Sequence, residues 1–250
     1  MLRGIAAVLV WLAAMPLSAQ VITSAEYSEP TQRYPHGVLG DDVEWGNLSV
    51  TVRRPKQGDA QDETQLEDVR FDLRLPEIKV FEDIAPRLID VDGIDGPEVI
   101  VVESDQNLGA RLAVYGLNAQ GVPELRSYTG HIGTRFRWLA PIGVADFDAD
   151  GVKDIAMVVT PHLGKTAYVM RYQEGMMTPY AELRGLTNHR IGEDFISGGV
   201  RDCGKGPAMV LLSPNWSEII EVRWQKERFD RRVLGRNKGH ESIQTAMQCG

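Results

Sequence analysis

Nine residues concentrate the chemistry of this chain: Asp146-Phe147-Asp148-Ala149-Asp150-Gly151-Val152-Lys153-Asp154, followed at once by the apolar run 155–159. Carboxylates at positions 1, 3, 5 and 9 of such a loop, with Gly at position 6, converge hard oxygen donors on one point. Negative charges gathered so closely repel unless a cation lies among them. Ca²⁺ suits the arrangement, since it accepts roughly six to eight oxygens at about 2.3–2.6 Å in tolerant geometry. The glycine permits the sharp turn that brings the third carboxylate back towards the first. An EF-hand would need a bidentate Glu at position 12 and flanking helices, and position 12 here is Met157. The closing ligand is therefore expected to be Asp154, with the carbonyl of Val152 as a further donor. The competing reading is a solvated turn, because Asp and Gly favour turns without any metal.

The loop recurs along the chain. Asp90-Val91-Asp92-Gly93-Ile94-Asp95-Gly96-Pro97-Glu98 has the same length and also runs into an apolar stretch, 99–102. A third copy is 200–208, with Asp202 and Gly206, and a weaker one is 39–47, with Asp41 and Asp42. A period of roughly 50 residues signals a propeller or a solenoid. After each loop the pattern predicts an apolar strand, a turn, a second strand, a turn and a third. These fall at 98–102, 111–117 and 123–128; at 155–160, 166–172 and 177–183; and at 209–213, 218–224 and 229–234. The first copy shows 48–53 and 69–75, separated by an acidic stretch containing Asp59, Asp62 and Glu63. No segment offers a long helical period. The fold expected is all-β, a small β-propeller of four-stranded blades.

These copies resemble FG-GAP/VCBS repeats, the blades of integrin-α-type propellers. In that family the DxDxDGxxD loop binds Ca²⁺ between the first two strands of a blade. The resemblance covers residues 34–250. It implies a metal at Asp146, Asp148, Asp150, Val152 and Asp154, and a degenerate site at Asp90, Asp92 and Glu98, where Ile94 replaces the position-5 acid. The loops at Asp41 and Asp202 lack the acids of positions 1 and 9, and no metal is expected there. Copies at about 34–83, 84–138, 139–193 and 194–239, with a partial one at 240–250, make four complete blades. A C-terminal strand at about 241–248 and the segment 21–27 are expected to share an incomplete closing blade, giving five inner strands. A four-bladed ring is the alternative.

The first nineteen residues read as a secretory signal peptide: a positive start at Arg3, a short apolar run and small residues at the exit. Residues 20–250 would form one domain, periplasmic or secreted. The apolar run is too short to span a membrane. A net charge of −8 argues against nucleic acid, which demands a basic footprint. The one basic stretch, Arg223 to Lys238, is expected to be a solvent-facing charged edge, with an anion-binding patch as the alternative. In an oxidising compartment the two cysteines, Cys203 and Cys249, are most simply a disulfide.

Catalytic signatures are incomplete. His240-Glu241 starts a zinc-protease motif but lacks the second His, since position 244 is Gln. Gly164-Lys165-Thr166 ends like a P-loop, yet Val159 stands where its first Gly belongs. Ser197 lacks the glycine of a nucleophile elbow. His36, His131, His162 and His189 have no partner at diagnostic spacing and are expected in loops or caps. Trp45, Trp138, Trp216 and Trp224 are expected to pack between blades, or to offer a sugar-stacking platform. The leading function is an exported, non-catalytic module with structural Ca²⁺ that binds a protein or glycan of the cell envelope. A propeller hydrolase or lyase acting on a glycan or phosphoester is one alternative. A structural component of an envelope assembly is another.

Overall fold

The computed structural model describes residues 20–56, 65–94 and 96–249. The leader segment, the acidic stretch with Asp59, Asp62 and Glu63, and Asp95 lie outside the described residues. The chain is all-β, built of antiparallel strands in sequential meanders. The first sheet holds β1 (Val21–Thr31), β2 (Glu44–Pro55) and β3 (Leu66–Arg74), with β2 central. Short β4 (Lys79–Phe81) links it to the second unit, β5 (Arg87–Ile89), β6 (Glu98–Asp105), β7 (Gly109–Leu117) and β8 (Pro123–Tyr128). There β4 and β5 pair with opposite halves of β6. The third sheet is β9 (Leu139–Ala145), β10 (Asp154–Val159), β11 (Thr166–Gln173) and β12 (Met176–Arg184). The fourth is β13 (Gly199–Asp202), β14 (Pro207–Leu212), β15 (Glu218–Gln225) and β16 (Arg228–Arg236), followed by helix α1 (His240–Met247).

Residue type explains the layering. Every residue of β6 is buried, because alternate side chains serve opposite faces and both faces are covered. Val99 and Val101 meet Leu48, Val50 and Val52 of the first sheet. Ile100 and Val102 meet Leu139, Ile155 and Met157 of the third. Ala156, Val158 and Val169 then meet Met209, Leu211 and Val222 of the fourth. Burying each Val or Leu contributes about 1.5–3 kcal/mol, so the inter-sheet faces carry the stability. The outer strand β3 alternates exposed and half-buried residues along its length, as a strand wet on one face must. Trp138 sits in the core between sheets, only 2% exposed.

The two ends of the stack are finished differently. The outer face of the first sheet carries a polar ladder. Asn47 Nδ2 donates to Ser28 Oγ (2.7 Å) and to Asp72 Oδ1 (3.0 Å), while Ser49 Oγ donates to the same Asp72 oxygen (2.7 Å). Arg70 adds bonds to Ser49 and Glu26. At the other end, Val210, Leu212 and Ile219 are covered by Ile243 and Ala246 of α1.

That helix corrects an expectation. The segment at about 241–248 is helical rather than a strand, and β1 pairs with β2. It therefore completes no closing blade with residues 21–27, and supplies no fifth inner strand. The reason lies in its residues: Glu, Gln, Ala and Met favour helix. Ile243 and Ala246, three apart, put one apolar face onto the sheet. Cys203, in the β13–β14 turn, and Cys249, just beyond α1, form a disulfide with Cα atoms 5.7 Å apart. It ties the helix to the turn rather than joining two inner strands. Among the described residues no helix is long and apolar enough to cross a membrane.

Candidate metal centre

The Asp146 loop joins β9 to β10, whose ends pair at Ala145 and Asp154. Asp146 shapes it from within: Oδ1 accepts the amide of Asp150 (3.1 Å) and Oδ2 that of Gly151 (2.9 Å). Asp150 Oδ1 in turn accepts the Val152 amide at 2.9 Å. Gly151 has φ +89°, a left-handed conformation that glycine adopts at little cost. Oxygens from Asp146, Asp148 and Asp150 lie within 4.8 Å of one another.

Arg171, absent from the sequence expectation, sits among these acids. It lies on β11 directly across from Asp154. Its guanidinium contacts Asp150 Oδ2 (2.6 Å), Asp148 Oδ2 (2.7 Å) and Asp154 Oδ1 (3.3 Å). Tyr180 holds the assembly from the side, donating to Asp148 Oδ2 at 2.5 Å while its ring lies 4.1 Å from the Arg171 guanidinium carbon. One guanidinium cannot neutralise four carboxylates. Asp154 is fully buried, and burial pushes its carboxyl up to about 6, although Arg171 pulls the other way. Asp154 Oδ2 and Asp148 Oδ1 are buried without any hydrogen-bond partner. Orphaned carboxylate oxygens in an all-oxygen donor set fit a hard cation such as Ca²⁺.

The Asp90 loop occupies the same place between β5 and β6, where Ile89 pairs with Glu98. Asp90 Oδ1 accepts the Gly93 amide (2.6 Å), Asp92 Oδ1 the Ile94 amide (2.8 Å) and Glu98 Oε2 the Val91 amide (2.8 Å). Oxygens of Asp90, Asp92 and Glu98 again lie within 4.8 Å. Burial pushes the Glu98 carboxyl up to about 7, with Asp92 and Asp90 adding repulsion. Among the described residues no arginine reaches in. One step beyond the Val99–Tyr115 pair, the strand register puts Gly116 opposite Glu98. A Cβ there would lie 3.4 Å from Glu98 and 3.1 Å from the Arg126 stem. The Arg126 head turns away to the Leu117 carbonyl and Glu124. The cation that does arrive is Lys153 of the neighbouring loop, whose Nζ donates to the Asp90 carbonyl (2.7 Å) and lies 3.3 Å from Asp90 Oδ2.

The loop at Asp202, between β13 and β14, closes differently. Arg223, one register step beyond Met209–Val222 and so opposite Ala208, donates to the carbonyls of Lys205 (2.9 Å) and Gly206. Arg223 is therefore buried, not part of a solvent-facing edge as its basic stretch suggested. Asn47, which ends the loop at Asp41, faces Arg74. Arginine thus stands opposite the ninth residue of three of the four loops, a signal visible only when the second strands are aligned.

A second polar cluster lies at the other end of the sheets, where connections run between them. His36 Nδ1 meets the buried Glu82 Oε1 at 2.5 Å, and Ser104 Oγ donates to the other Glu82 oxygen. Trp138 Nε1 donates to the Glu82 carbonyl (2.8 Å) and packs against His162 and His189. His189 bonds the Glu193 carbonyl through Nε2 (2.8 Å), so its Nδ1 accepts from His162 Nε2 (2.9 Å). Burial pushes His162 down to about 4. Sequence spacing concealed these partnerships, since His36 and Glu82 are 46 residues apart. No protein-family model matches the chain, and no curated protein matches it.

Proposed function

We propose that the chain is an exported, calcium-binding scaffold of FG-GAP/VCBS-like blades that holds a protein or glycan of the cell envelope. The blades form an open, propeller-like row, finished by the polar ladder at one end and by α1 at the other. The observation that carries the reading is the pair of orphaned oxygens, Asp148 Oδ1 and Asp154 Oδ2, inside the Asp146 loop. Ca²⁺ supplies the charge they lack and fixes the hairpin between β9 and β10, whose neighbours form the loop-bearing rim. Function concentrates on loops carried by a rigid scaffold. The disulfide supports an oxidising, periplasmic or secreted setting.

A ligand that binds only the folded chain stabilises it by about 2.7 kcal/mol at a hundredfold excess over Kd. Thermal unfolding of the calcium-loaded protein is therefore expected to shift downward in EGTA, and Asp148→Ala to remove most of that shift. Equal melting curves with and without EGTA would sink the calcium reading. A second reading, a hydrolase or lyase, is favoured by the His36–Glu82 pair, since a carboxylate that orients an imidazole is what a general base needs. Turnover of glycans or phosphoesters that His36→Ala abolishes would establish it.

A further inference from the structure

We propose that Arg171 is a built-in competitor for the cation of the Asp146 loop: it draws the carboxylates together when no ion is bound and weakens the ion's hold when one is. The inference rests on the calcium reading above for the identity of the ion, but not for the role of the arginine.

Three observations meet here. The Arg171 guanidinium touches three of the four acids that the ion would use, at 2.6, 2.7 and 3.3 Å. It is fixed there from both sides, by its place on β11 opposite Asp154 and by the Tyr180 ring and hydroxyl. In the fourth repeat, whose loop lacks the acids of positions 1 and 9, Arg223 bonds the Lys205 and Gly206 carbonyls instead. Arginine at this place therefore helps to close a loop, whether the loop offers carboxylates or carbonyls.

A closing cation and an entering one cannot both have the same oxygens. Asp148 Oδ2 already takes bonds from Arg171 and Tyr180 and Asp150 Oδ2 one from Arg171, so of these two acids only Asp148 Oδ1 is left without a partner. A guanidinium about 5 Å from a divalent ion in a water-like medium weakens binding by on the order of tenfold through repulsion alone. Its presence also offsets part of the repulsion among carboxylates that would otherwise open the loop without metal. The Asp146 loop is then a responsive site, closed in both states, rather than one that collapses when calcium is withdrawn.

The test is Ca²⁺ titration by calorimetry on the full mature chain, freed of metal and carrying Glu98→Gln to silence the Asp90 loop, with and without Arg171→Gln. The expected result is binding on the order of tenfold tighter once the arginine is gone, with a melting temperature that drops in EGTA more than the parent's does. Equal or weaker binding by the Arg171→Gln protein overturns the proposal. If the parent binds no calcium while the variant binds one equivalent, the competitor role stands and the calcium reading of the native chain fails. If the parent binds calcium and the variant matches it, the reverse holds. Should Arg171→Gln fail to fold, Arg171→Met decides: it keeps an apolar stem against the Tyr180 ring and removes the charge, so affinity should rise on the order of tenfold, and an unchanged affinity overturns the proposal.

Discussion

The two acidic loops are the same device in the same place, yet they manage their charge differently. Each joins an edge strand to the strand it pairs with, and each gathers three carboxylate oxygens within 4.8 Å. In the Asp146 loop a guanidinium enters from the neighbouring strand and contacts three acids. In the Asp90 loop that place is Gly116, and the visiting cation is a lysine that touches one acid at the rim. A loop's unbalanced negative charge is thus set as much by the strand opposite position 9 as by the loop's own acids. Lys153 also makes the loops neighbours in an energetic sense, because a residue of one closes part of the other.

The loop at Asp202 marks the far end of this comparison, closed by covalent chemistry and by Arg223. Replacing both Cys203 and Cys249 by Ser should cost about 3 kcal/mol, read by urea unfolding, with faster amide exchange confined first to α1. A uniform loss of protection would show that the disulfide does not act locally.

Next in size is Arg171→Gln in EGTA. It leaves the buried Asp154 carboxylate without its hydrogen-bond partner, at a cost of about 2 kcal/mol, and saturating Ca²⁺ should restore most of it. A variant as stable as the parent in EGTA would erase the distinction between the loops.

Glu98→Gln should move stability the other way. Burial raises Glu98 from its ordinary 4.5 to about 7, so between those values the folded chain keeps a proton that the unfolded chain has released. In EGTA this contribution to stability is full below pH 4.5 and is lost as pH rises towards 7. The variant lacks that dependence and should exceed the parent at pH 8, the two converging near pH 4.5. Parallel stability curves would mean that the Asp90 loop is already neutralised.

The smallest effect belongs to Lys153→Gln. Lys153 and Asp90 are both about 40% exposed at the side chain, and a solvated pair of this kind is worth roughly 0.5 kcal/mol. A loss several times larger would show that the two loops act as one unit.

Much of this architecture is legible in the residues. The order of strand and turn after each loop places β7, β8 and β11 within a residue or two, at 111–117, 123–128 and 166–172, because strands between covered faces must be apolar and outer strands must alternate. The repeated Asp-rich loops are enough to locate both candidate centres, since four acids at fixed spacing can only gather in a turn. Short β4, β5 and β13 are not legible: three or four residues carry too little periodicity, and their pairing is imposed by the longer strand beside them. Helix α1 was hidden for a related reason. Eight residues with a weak apolar pattern suit either state, and the open face of the fourth sheet, with Cys203 beside it, selects the helix.

By itself, then, the sequence determined the antiparallel layering, the positions of the acids and the pair of cysteines available to join, because each depends on residue type and local spacing. Only the tertiary structure decided which cation faces which acid. Arg171 meets Asp154, 17 residues away, Lys153 meets Asp90 across 63, and Glu82 meets His36 across 46. Those meetings follow from strand register and sheet stacking. Register moves a side chain to the opposite face with every single-residue shift, so they exist only once the sheets have docked and their inner faces are dry.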